Sequence, residues 1–77
     1  MTLQTTQSVD ALGLSCPMPI VKAALAIKTI ASGDFLEVLA TDPGSVKDFA
    51  AWSRNTGNEL VEQSVDAGVY RFVVRRK

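Results

Sequence analysis

Apolar residues recur along this chain in two rhythms, a period near two in short runs and a period of three to four in longer ones. In residues 8–12, Val9 and Ala11 alternate with polar neighbours, which predicts a short strand ended by Gly13. Ile20, Ala23, Ala24, Ile27 and Ile30 then fall at helical spacing, predicting a first helix over residues 20–31 that is introduced by Pro17 and Pro19. Its polar positions Lys22 and Thr29 lie one heptad apart on the other side. Lys28 sits near the C-terminal end of the dipole, and Gly33 can supply a left-handed residue beyond it. Residues 35–41 are rich in β-branched and aromatic side chains between Gly33 and Pro43, which predicts the most buried strand.

Asp42 followed by Pro43 reads as an N-cap with proline at the first helical position, and Val46, Phe49, Ala50 and Ser53 form the narrow face of a second helix that stops at Gly57. Residues 60–65 and 69–75 both alternate, and Asp66-Ala67-Gly68 between them reads as a hairpin turn. The predicted order is β-α-β-α-β-β. A parallel pair joined by a right-handed crossover and a closing antiparallel hairpin give a mixed four-stranded sheet, with both helices on one face in a two-layer α/β (α+β) sandwich.

At 77 residues there is room for one domain, expected over residues 8–77 after a flexible polar tail at residues 1–7. That tail has no basic residue and no apolar core, so it does not read as an export signal, and a cytoplasmic protein is expected. A hydrophobic share of 47% with 21% charged residues is that of a globular chain. Eight basic and eight acidic residues cancel, which argues against direct nucleic-acid binding and favours protein partners. No membrane association is expected, and a monomer is the default.

The chemistry is bounded by what is missing. A single cysteine, Cys16, cannot form an internal disulfide, and with no histidine the common zinc-ligand sets and the Cys-His and Ser-His catalytic pairs are excluded. No metal or cofactor site is expected. Cys16-Pro17-Met18-Pro19 places a thiol where a glycine-containing loop meets a helix start. With Cys16 as N-cap, Pro17 and Pro19 occupy first-turn positions and break no helical hydrogen bond. The amides of Met18 and Ile20 and the positive end of the dipole would then favour thiolate, lowering the thiol pKa below ~8.5. A lone cysteine is more often a small buried hydrophobe, but a proline-flanked helix start is a poor place to bury an inert thiol. Without a resolving cysteine or a histidine base, carriage of a sulfur or acyl group is the chemistry left open.

Asp10, Gly13, Cys16, Pro17 and Pro19 together match Asp-x-x-Gly-x-x-Cys-Pro-x-Pro, and with this motif the chain resembles the TusA/SirA sulfur-carrier family from residue 8 onward. The likeness takes in Asp42-Pro43, residues 55–57 and the closing hairpin. It implies a persulfide on Cys16, received from a cysteine desulfurase or a rhodanese and relayed to a DsrE/TusD-like acceptor protein. In tRNA-thiolating members the residue before the cysteine is often arginine, where this chain has Ser15. tRNA thiolation, cofactor sulfur supply, selenium handling and dissimilatory sulfur oxidation are all open to such a carrier.

Other residues carry weaker expectations. Asp10 suits turn chemistry as well as support of the loop, and Gly13 meets a backbone requirement. Leu14, Met18 and Lys22 are candidates for a partner interface, as are Arg75 and Arg76 in the basic C-terminus, which serves equally as a solubilising tail. Trp52 is expected to pack a helix edge. The alternative reading is a protein- or RNA-binding regulatory module in which Cys16 is structural.

Overall fold

The computed structural model describes residues 5–77. Most of the tail expected at residues 1–7 therefore lies outside the described residues. Four strands, β1 (Gln7–Ala11), β2 (Phe35–Ala40), β3 (Glu59–Asp66) and β4 (Val69–Arg75), form one sheet in the order β1-β2-β4-β3. β1 and β2 run parallel, while β4 is antiparallel to both β2 and β3, so the sheet is mixed as the connection types required. Helix α1 (Met18–Ala26), prolonged by a 3-10 turn at Ile27–Thr29, and helix α2 (Ser45–Thr56) pack on the same face. The fold is the expected two-layer sandwich.

Period-two burial explains why β2 sits in the middle. Leu36, Val38 and Ala40 point to the helices and are fully buried, and the partly exposed Phe35, Glu37 and Leu39 face the other way. From β4, Phe72 and Val74 join the same core. Phe72 stacks on Phe49 of α2 with ring centroids 4.5 Å apart, and Trp52 meets Phe49 edge-on at 6.0 Å. Burial is shared between β2 and β4 rather than concentrated in β2, because both strands are interior to the sheet.

The helix-free face is held by charge. Arg71 on β4 lies between β2 and β3, donating from Nε to Glu37 and from Nη1 to Glu62 at 2.8 Å. Ser8 on β1 extends the row by donating to Glu37 at 2.8 Å. Val73, which the register sets between Glu37 and Glu62, is fully buried although no helix covers it. The hairpin turn is made by Ala67 and Gly68, both at positive φ (50° and 80°), the backbone of a two-residue turn that continues the twist of its strands.

Element ends depart from the sequence expectation by a few residues. α1 begins at Met18 with Pro17, not Cys16, as its N-cap (φ −97°, ψ 13°), and it tightens after Ala26 instead of running to residue 31. α2 begins at Ser45, after Gly44, so Asp42 is not its N-cap. Gly57 closes α2 in the left-handed conformation, its N–H donating to the Ser53 carbonyl, as expected.

Candidate functional site

β1 and β2 end side by side, Ala11 opposite Ala40, and the chain leaves both strands at the same edge of the sheet. Two loops therefore meet there. The first is shaped by Asp10, whose Oδ1 accepts from the Leu12 N–H at 2.9 Å, and by Gly13 at φ +76°, whose N–H donates to Thr41 Oγ1 at 2.9 Å. Asp10 is thus turn chemistry, and Gly13 supplies a left-handed residue where a side chain would be strained even with open space around it.

The second loop holds the first through Asp42. One carboxylate oxygen accepts from the Gly44 N–H at 3.1 Å and the other from the Cys16 N–H at 2.8 Å, so the same side chain turns its own loop and fixes the backbone of the cysteine. Asp-Pro spacing alone suggested a helix cap, and only tertiary structure reveals the cross-loop bond.

Cys16 is exposed. It opens on a groove of about 280 Å³ between α1 and α2, lined by Pro17 and Ile20 on one side and by Asp48, Ala51, Trp52 and Asn55 on the other. Trp52 does pack a helix edge, as expected, and it also forms a wall of this groove. Pro19 is buried under the first turn. Pro17 accepts the Val21 N–H at its carbonyl, 3.0 Å away, which starts the helix.

Electrostatics at the sulfur reverse the sequence expectation. The Met18 amide donates to the Ser15 carbonyl at 2.9 Å, so it is not available to a thiolate. Facing the sulfur instead is Asp48, one turn into α2. Its carboxylate as a hydrogen-bond partner of the thiol pushes the Cys16 pKa up, helped by local burial and by the charges of Asp48 and Asp42. The hydrogen bond to Asp48 is the first cause, local burial the second, and the charges of Asp48 and Asp42 follow.

Of the expected interface residues, Met18 is exposed on the first turn of α1, two residues after Cys16, and Lys22 is exposed on the same helix, its Nζ donating to the Asp10 carbonyl at 3.1 Å. Leu14 is partly buried against the core. Arg75 and Arg76 are not brought to Cys16: the register pairs Arg75 with Phe35, at the start of β2, while the Cys16 loop adjoins its end. The five residue steps between those ends span roughly 17 Å. Sequence reasoning missed Asp48, which carries no motif signal, and took Asn55 only as part of the family likeness at the end of α2, not as a wall of this groove. It also missed Val21, 40% exposed, whose position outside the buried face of α1 could have been read from the periodicity.

Comparison with known proteins agrees with this geometry. The family model described as Sulfurtransferase TusA matches residues 7–76, and the chain belongs to that family. It is 47% identical over 70 residues to the sulfur carrier protein TusA of Allochromatium vinosum, covering 91% of this chain and 92% of that protein. It is 38% identical over 77 residues to the protein of the same name from Pseudomonas aeruginosa, covering 100% and 98%. Among solved structures, a SirA-like protein from Desulfitobacterium hafniense superposes with a TM-score of 0.80 at 25% identity, covering 91% of this chain and 96% of that one.

Proposed function

We propose that the protein is a sulfur carrier that accepts sulfane sulfur as a persulfide on Cys16 and hands it to an acceptor protein. One observation carries this reading: the only cysteine stands exposed at the head of a groove, on a backbone fixed by Asp42, in a chain whose family members are named as sulfur carriers. With no second thiol in the chain, Cys16 discharges only onto another molecule. The exposed Met18 and Val21, on the first turns of α1, extend an apolar surface from the cysteine on which such a partner can rest. A cysteine desulfurase or rhodanese as donor and a DsrE/TusD-like protein as acceptor fit this chemistry.

The reaction itself needs no cofactor in this reading, because sulfane transfer exchanges one sulfur-sulfur bond for another. No helix among the described residues is long and apolar enough to cross a membrane, which is compatible with work in the cytoplasm. The test is mass spectrometry after incubation with a desulfurase and cysteine, or a rhodanese and thiosulfate. Cys16 should gain one reductant-labile sulfur, and Cys16→Ser should gain none. Absence of any adduct from either donor would favour a binding module instead.

A further inference from the structure

A thiol whose pKa is raised is a slow nucleophile at neutral pH unless something takes its proton. This difficulty follows directly from the groove, and the groove also supplies an answer. The titratable groups beside Cys16 are Asp48 from α2, which lines the same groove, and Asp42 from the loop ahead of it, which holds the Cys16 N–H. α1 offers only Lys22, which is turned to the Asp10 carbonyl. Asp42 is committed at both oxygens, to the N–H groups of Cys16 and Gly44. Asp48 is not. Among the described residues its carboxylate takes part in no ion pair and accepts from no backbone N–H; it lines the groove together with Cys16, Pro17, Ile20, Ala51, Trp52 and Asn55.

Resting on the carrier reading above, we infer that Asp48 is a catalytic proton shuttle, moving the thiol proton of Cys16 to the sulfur that leaves during transfer. In loading, the Cys16 Sγ–H bond breaks and its proton passes to the Asp48 carboxylate. Sγ forms a bond to the outer sulfur of the donor persulfide. The donor's sulfur-sulfur bond breaks with its electron pair on the inner sulfur, which takes the proton from Asp48. The outer sulfur keeps its own proton or charge throughout. One sulfur-sulfur bond forms and one breaks, so nothing is oxidised or reduced overall. Discharge is the reverse: the acceptor's thiol proton reaches Cys16 Sγ by way of Asp48.

The shuttle separates two reactions that a merely electrostatic carboxylate would move together. Alkylation by iodoacetamide expels iodide, which needs no proton, and follows the thiolate fraction alone. Loading from glutathione persulfide expels a thiolate that gains from a proton. In the full chain, Asp48→Asn should lower the midpoint of Cys16 alkylation against pH and speed alkylation near neutrality. The same substitution should slow loading from glutathione persulfide by about 100-fold, the low end of general acid-base effects. Asp48→Glu, which keeps a carboxylate, should recover part of the loading rate. Loading by Asp48→Asn at the wild-type rate or faster overturns the shuttle and leaves Asp48 a simple electrostatic brake. Equal loading by the Asn and Glu variants does the same. A wild-type chain that never loads overturns the carrier reading itself, while the alkylation shift would still report the contact between Asp48 and Cys16.

Discussion

Two pairs of carboxylates in this small molecule are used in opposite ways. On the helix-free face, Glu37 and Glu62 flank Arg71, and the guanidinium satisfies both. At the loop end, Asp42 and Asp48 flank Cys16, and among the described residues neither forms an ion pair. The first arrangement holds Glu37 below the usual carboxylate range, chiefly through its bond to Arg71 and then through Ser8. The second pushes a thiol upward. Neutralised charge marks a place where the fold is being held, and un-neutralised charge beside a nucleophile marks a place where protons are handled. Variants at the two sites should therefore divide cleanly between stability and chemistry.

Cys16→Ser gives the largest effect on the chemical side, a complete loss of sulfur loading by mass spectrometry. Because Cys16 is exposed, stability in urea denaturation should hardly change, by no more than about 0.5 kcal/mol. The largest effect on the stability side is expected from Arg71→Ala. It strands two partly buried carboxylates and should cost about 2 kcal/mol in urea denaturation, with the alkylation midpoint of Cys16 unchanged. The pH dependence has a definite sign. Glu37 has a folded pKa below its unfolded value, so its contribution is present above the unfolded value and is lost as pH falls through the folded one. Glu37→Gln should flatten the acid limb of stability against pH. A Cys16 titration that moved with Arg71→Ala would break the division.

Asp42→Asn should register in both stability and chemistry, because Asp42 belongs to both sides. It fixes backbone and it carries charge toward the sulfur. The variant keeps one good acceptor of two and should cost about 1 kcal/mol. Removal of its charge should also lower the Cys16 alkylation midpoint, by less than Asp48→Asn does, since Asp48 is the larger cause of the raised pKa.

How far all this could be read from the sequence follows the range of each interaction. The sheet order, the two helices and the hairpin were legible because period-two and helical burial are local, and Gly57 and Gly68 fell where left-handed residues were required. Cys16 was legible from its prolines. Asp42 was misread as a cap because its decisive partner, the Cys16 N–H, lies 26 residues away in sequence. Asp48 gave no signal at all: a lone acidic residue on the first turn of a helix is ordinary, and only the packing of α2 beside α1 turns it toward a thiol. The thiol's protonation was argued from the helix start alone and so took the wrong sign, because electrostatics at a site depend on every loop that reaches it.

The smallest expected effect tests whether the C-terminal basic residues have any share in the site. Arg75 and Glu59 form a third pair, 3.5 Å apart, but both side chains are more than half exposed, at 54% and 61%. Such a pair is screened by salt and loses side-chain entropy when it forms, so Arg75→Ala should change stability by no more than about 0.5 kcal/mol. Arg76 is different in kind, since its guanidinium donates to the carbonyl of Ile30 and its N–H to that of Asp34, and its role is to fasten the end of β4. Arg75 is thus the cleaner probe of partner steering. Its place at the far end of the sheet from Cys16 predicts no change in sulfur exchange with a protein donor at either low or moderate ionic strength. If Arg75→Ala slows that exchange at low salt alone, the basic end steers an acidic partner over a distance. Slowing at both ionic strengths would mean that the partner's footprint reaches around the sheet, and the docking surface would then be far larger than Met18, Val21 and the groove.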